Sequence, residues 1–169
     1  RTGSPVLMGV VLVALGRRLD VKVEPIAFPG HFLVRVGRAQ TYADPMDGAH
    51  PLPRQALIGL AMRTLDCDER EAVRVVEPAS PSAVGVRILL NLQRIHRQRG
   101  DHAHGLLVAD RLYELTGAPI HRCDRGLHAL ALGARDAAIA DLEAYLRAHP
   151  DARDADAVAS MLDEARSVA

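Results

Sequence analysis

The chain has 169 residues, 49% of them hydrophobic, with 21 Lys+Arg balanced against 21 Asp+Glu. That length supports one ordinary core or two small ones, and the apolar fraction excludes a disordered tail. Zero net charge supplies no overall field for a polyanion, so no nucleic-acid partner is expected.

The longest apolar run, Val6 to Leu15, is about half the length that crosses a bilayer, so no membrane span is expected. Arg17 and Arg18 follow that run instead of preceding it, which argues against a signal peptide. The chain opens at Arg1 without an initiator methionine, and upstream residues are expected to be missing. Ser4 followed by Pro5 reads as an N-cap with proline at the first helical position, opening a helix that runs to about Leu19. That helix is apolar nearly all round and is expected to be buried. Val21, Val23 and Ile26, then Phe32, Val34 and Val36, read as two short strands joined through Phe28-Pro29-Gly30, and Gln40 to Asp44 as a third. Asp44-Pro45-Met46-Asp47-Gly48 is turn chemistry, and Pro53 to Thr64 returns to helical spacing. Two prolines and a serine between Glu77 and Pro81 mark a boundary, giving expected domains of 1–78 and 79–169. Only helices follow, over Ala83–Arg99, His104–Leu115, Ile120–Leu132, Asp136–Ala148 and about Asp154 to Val168.

Two cysteines, Cys67 and Cys123, are too few for a disulfide framework and lack metal-ligand spacing, so a reducing, cytoplasmic setting is expected. The helix stops repeat. Gly100 and Gly133 each sit inside a helical hairpin, Pro119 and Pro150 close the pairs, and the period is about 34 residues. This resembles the tetratricopeptide repeat. Gly126, Gly133, Ala138, Tyr145 and Pro150 fit the second copy well, whereas the first has Gly105 where alanine is usual and Gln93 where a small residue is usual. The last helix reads as the cap of the array.

The segment Phe28 to Arg35 starts a hairpin for which Gly37-Arg38 reads as a two-residue type II′ turn. In that register His31 faces Asp44, Leu33 faces Tyr42 and Arg35 faces Gln40. Directly opposed Cβ atoms lie about 5 Å apart, so Asp44 can orient the His31 ring as in nucleophile, base and acid triads. A pair pinning the hairpin from a buried position is the plainer reading. The Gly-x opening of the first helix, its Arg-Arg-Leu end, Phe-Pro-Gly-His-Phe-Leu-Val-Arg and Asp-Pro-x-Asp-Gly together resemble the transglutaminase-like superfamily. The likeness is to its bacterial SirB-type branch, which fuses such a core to tetratricopeptide repeats. The resemblance implies a Cys, His and Asp triad, with His31 and Asp44 at two positions. At the third, Gly3-Ser4-Pro5 puts Pro5 where the Gly-x-Cys motif has its cysteine. Without a thiolate the acyl transfer cannot run. Ser4 is the adjacent substitute, although an N-cap hydroxyl is better occupied by backbone amides.

His96, His102 and His104 around the Gly100 turn are expected to diverge into solvent, so neither a metal nor a cofactor is expected. Arg87, Asn91, Arg94 and Arg97 recur at helical spacing on the first repeat helix. They are the candidate contacts for a protein or peptide segment in the repeat groove, against the plainer reading of a solvated stripe. The expected architecture is α+β: a small papain- or transglutaminase-like core with an antiparallel sheet, then an all-α tetratricopeptide-like region. The expected function is a non-catalytic, regulatory scaffold with a protein-binding module. The alternative is a hydrolase or acyltransferase using His31 and Asp44 with Ser4 or an upstream nucleophile.

Overall fold

A computed structural model describes residues 4–37, 41–48 and 50–167. Proline fixes the first helical φ, and α1 runs over Pro5–Arg18 with Ser4 extended at its N-cap. Glycine sets how closely this helix lies on its sheet. A Cβ added at Gly9 would fall 2.4 Å from the Phe32 ring, and one at Gly16 would fall 2.5 Å from the Val23 side chain. Phe32 precedes strand β2 (Leu33–Val36), while Val23 opens β1 (Val23–Ile26) and pairs with Val36 at the far end of β2. Helix α1 therefore runs alongside β2, with its N-terminal end at the end of the sheet that carries Phe32 and His31.

Strands β3 (Thr41–Ala43) and β4 (Pro51–Leu52) complete an antiparallel sheet of order β1-β2-β3-β4. Alternation along the strands divides the sheet's two faces. Val34, Val36 and Ala43 face α1 around an apolar hollow of about 490 Å³. Ile26, Leu33 and Tyr42 face the other way, onto α2 (Arg54–Leu65) and α3 (Glu69–Val75), and form a core with Phe28, Leu57, Ile58, Ala61, Ala72 and Val76. Asp68 caps α3 by accepting the Glu71 amide at 2.9 Å.

Two expectations fail in this unit. The first helix is not buried: Val6, Gly9 and Gly16 are, but Leu7, Val11, Leu15 and Leu19 stand exposed, Leu19 at 72%. A sheet covers only one side of a helix, and the close packing of α1 is with β1 and β2. The hairpin register is also displaced. Val34 pairs with Ala43, Arg35 with Tyr42 and Val36 with Thr41, so Leu33 does not face Tyr42 and the two-residue turn gives way to a connection spanning 37–40. Gly37 has φ +70°, while Arg38 and Gln40 lie outside the described residues. The shift is two residues, which leaves every side chain on its intended face.

The chain folds as two compact units, Arg1–Ile88 and Leu89–Ala169. Helix α4 (Pro81–Arg99) passes from one to the other, and the second unit continues through α5 (His102–Thr116), α6 (Pro119–Ala131), α7 (Arg135–Ala148) and α8 (Ala155–Ser167). Gly100 and Gly133 take the left-handed backbone that the hairpin turns require, at φ +64° and +77°. Gly126 admits Leu142, whose Cδ2 would lie 3.0 Å from an added Cβ. The core of this unit is Cys123, Leu142, Tyr145, Val158 and Leu162. Between α6 and α7 the buried carboxylate of Asp141 accepts from Arg122 Nε at 3.0 Å and from Arg125 Nε at 2.7 Å.

Candidate functional site

A tight turn presents His31: Pro29 and Gly30, the latter at φ +75°, reverse the chain, and the His31 amide donates to the Phe28 carbonyl at 3.1 Å. Asp44 leaves β3 with Oδ1 accepting the Met46 amide at 2.8 Å, which turns Oδ2 toward the histidine. His31 Nδ1 and Asp44 Oδ2 are 3.1 Å apart. The two residues meet diagonally across the strand ends and not directly opposite, because the register is shifted by two. Nor is the pair a buried pin, since the His31 side chain is 59% exposed and that of Asp44 16%.

Beside the pair lies a cavity of about 190 Å³, walled by Phe28, Leu33, Leu57 and Leu60 together with His31 and Asp44. No hydroxyl or thiol lines it among the described residues. Ser4 stands at the N-cap of α1, yet its side chain makes no capping bond, contrary to expectation. Both cysteines sit elsewhere. Cys67 packs against the sheet core with its thiol 3.9 Å from the Ala61 carbonyl, and burial together with the Glu71 and Asp68 carboxylates raises its pKa. Cys123 is buried among α6, α7 and α8, and burial pushes its thiol up to about 12. Nucleophilic cysteines need the opposite shift. At the opposite edge of this face, Arg35 is held by Glu24 at 2.9 Å and Glu77 at 3.3 Å, while the Tyr42 hydroxyl has no partner among the described residues.

In the second unit α4 and α6 border a hollow of about 540 Å³ with mixed polar and apolar walls. Gln93 Nε2 and Arg97 Nη2 donate to the two oxygens of Asp124 at 2.6 and 2.5 Å. Burial dominates the Asp124 carboxyl and raises it, outweighing the Arg97 charge. His121 contributes a buried ring whose Nδ1 has no partner among the described residues, and burial lowers its pKa. His128 Nδ1 meets His102 Nδ1 at 3.1 Å, and burial, then His102, lowers His128 as well. Of the four stripe residues only Arg97 lines this hollow; Arg94 is exposed, and Asn91 and Arg87 are half-buried. Gln93, His121, Asp124 and His128 were not read as one site in the sequence because they lie on two helices. The signal was there: Gln93 breaks the repeat pattern, and His121, Asp124 and His128 share one face of α6.

The histidines around Gly100 do not all diverge. His96 and His104 stack with ring centroids 5.2 Å apart, and both turn Nδ1 to Asp101 Oδ2, at 3.1 and 2.8 Å. The Gly100 turn brings the Asp101 amide back to the His96 carbonyl at 3.0 Å, and this closes the carboxylate onto the end of α4. His102 alone points away, toward His128.

Residues 1–90 match a family model described as the transglutaminase-like superfamily, and residues 92–163 match one described as the tetratricopeptide repeat. Proteins from two strains of Xylella fastidiosa, both named UPF0162 protein, are 34% and 33% identical over 164 residues, covering 94% of this chain and 58% of their own length. A UPF0162 protein of Pseudomonas aeruginosa is 33% identical over 133 residues, covering 76% of this chain and 48% of its own. The chain thus spans between about half and three fifths of the curated relatives it matches. No solved structure matches it. Among the described residues no helix is long and apolar enough to cross a membrane. With a sheet and helices over the first half and repeat helices over the second, the chain belongs to the transglutaminase-like superfamily, its core followed by tetratricopeptide repeats.

Proposed function

We propose that the first unit is a non-catalytic scaffold of transglutaminase-like form and that the second binds a protein or peptide segment, the whole acting as a regulator in the cytoplasm. One observation carries the first half of this reading. His31 has its orienting carboxylate 3.1 Å away and the adjoining cavity offers no described nucleophile, while the resemblance puts Pro5 where the family has its cysteine. A base without a nucleophile cannot form an acyl intermediate. The free thiols of Cys67 and Cys123 support a reducing setting.

Supporting the second half, the α4 and α6 faces border a hollow with mixed polar and apolar walls. Arg97 is well exposed there, and a guanidinium suits a partner carboxylate. The alternative, a hydrolase or acyltransferase, draws support from the Ser4 hydroxyl, which is free of capping duty.

Turnover of amide and ester acyl donors separates the two readings when wild type is compared with His31→Ala and Ser4→Ala. A scaffold gives the same background rate for all three proteins. Turnover lost in both variants establishes the Ser4 enzyme, and turnover lost only in His31→Ala points to another nucleophile. For the groove, a photo-crosslinker at exposed Ile120 should capture a partner in wild type but not in Arg97→Gln. Capture undiminished by that change would remove Arg97 from the interface.

A further inference from the structure

We propose that His96, Asp101 and His104 form a binding site for a divalent transition-metal ion of the zinc class. Their donor atoms, one per residue, all lie within 4.8 Å of one another. Metal–nitrogen and metal–oxygen bonds of about 2.1 Å place two donors on one ion about 3.0 to 3.4 Å apart. His96 Nδ1 and His104 Nδ1 are already 3.1 and 2.8 Å from the Asp101 oxygen. Two of the three donor separations are thus close to that range, and the third is within 4.8 Å, so side-chain rotation that draws the two rings together around the carboxylate would admit an ion.

Backbone geometry builds this face, and loose side chains do not. The spacing spans nine residues across one helical hairpin. Gly100 at φ +64° turns the chain, its amide donates to the Arg97 carbonyl at 3.2 Å, and the Asp101 amide donates to the His96 carbonyl at 3.0 Å. Asp101 also caps α5, accepting the His104 amide on Oδ1 at 3.2 Å, which fixes the carboxylate plane and leaves Oδ2 facing both rings. Two imidazoles and a carboxylate suit zinc, cobalt or nickel better than calcium or magnesium, which prefer all-oxygen shells. Ion binding replaces the two Nδ1 hydrogen bonds to Asp101 and shifts each ring's proton from Nδ1 to Nε2, which frees the Nδ1 lone pair for the metal, and water completes the coordination because His104 is exposed. The C-terminal end of α4 favours a cation and the N-terminal end of α5 opposes it, so the helix dipoles roughly cancel. Binding then rests on the three ligands.

The test is calorimetric titration of the untagged chain with zinc chloride, repeated with cobalt to read the visible absorption of a bound ion. Wild type should take up one equivalent. Asp101→Asn keeps a capping oxygen and removes the anionic ligand. It and His104→Ala should each weaken binding by at least about tenfold and lose the cobalt band, with unchanged circular dichroism. His102→Ala, whose ring faces His128, should bind as wild type does. Absence of saturable uptake by wild type overturns the proposal, as does uptake that survives Asp101→Asn and His104→Ala or disappears with His102→Ala.

Discussion

A Cβ on Gly105 would lie 2.5 Å from Cε1 and 2.6 Å from Nε2 of His128, a ring held in place by burial and by His102. The glycine that looked like a weak repeat position is therefore the space His128 occupies. Gln93 follows the same logic: a small residue there would leave the buried Asp124 without the amide that donates at 2.6 Å. Neither compensation is legible in a repeat pattern, because each partner lies on another helix, 23 residues away for Gly105 and 31 for Gln93. Alanine favours helix by about 1 kcal/mol over glycine, but overpacking costs about 1 to 3 kcal/mol. Gly105→Ala is therefore expected to destabilise the chain in denaturant unfolding, and Gly105→Ala combined with His128→Ala to recover part of the loss relative to His128→Ala alone. Additive losses would mean that the cost of Gly105→Ala does not come from the His128 ring. Asp141 supports a second expectation. Burial would raise its carboxyl, but hydrogen bonds from Arg125 and Arg122 outweigh that and lower it. Removing one member of a buried pair costs about 3 kcal/mol or more. Because both arginines retain some access to water, Asp141→Ala is expected near the lower end, read as a reduced denaturant midpoint.

At the scale of elements, the hairpin shows what a period-2 pattern can carry. Alternation places Leu33, Arg35 and Tyr42 on one face and Val34, Val36 and Ala43 on the other, and any register shifted by an even number of residues preserves this. Faces were readable for that reason, and so was the meeting of His31 with Asp44. The exact opposition was not, since it depends on loop length. The two-residue strand β4 and the seven-residue helix α3 escaped notice because neither is long enough to display a period. Helix α6 carries a titratable face that sets a pH dependence. Burial depresses His121 and His128 below the ordinary 6.5, with His102 adding to the effect on His128 and Asp124 opposing it on both. The unfolded chain then binds more protons than the folded one below about pH 6.5, so stability is present above that value and is lost as pH falls through the depressed values. Asp124, raised by burial, acts in the opposite sense. The melting temperature is expected to fall between about pH 7.5 and 5.5, and His121→Leu to make that fall shallower. An unchanged slope would assign the dependence to other groups.

Across the whole molecule, the order of elements was legible: strands with a helix ahead of them, then helices with a recurrent stop. Burial of α1 was not, because a nearly all-apolar helix reads as buried whether or not a second surface meets it. Leu7, Val11 and Leu15 recur every four residues and leave a stripe exposed at 55%, 51% and 44%. The formal net charge is zero and the sequence pI near 7.3, so near neutral pH no long-range repulsion keeps such stripes apart. Concentration-dependent light scattering is therefore expected to peak near pH 7.3 and to diminish away from it. Leu7→Lys combined with Val11→Glu replaces two apolar side chains while keeping the net charge at zero. If the apolar stripe drives association, this pair suppresses scattering at the same pH and moves stability by only about 0.5 kcal/mol, since both positions are exposed. Scattering that persists in the double variant but disappears on adding charge elsewhere would instead trace the association to the missing electrostatic repulsion.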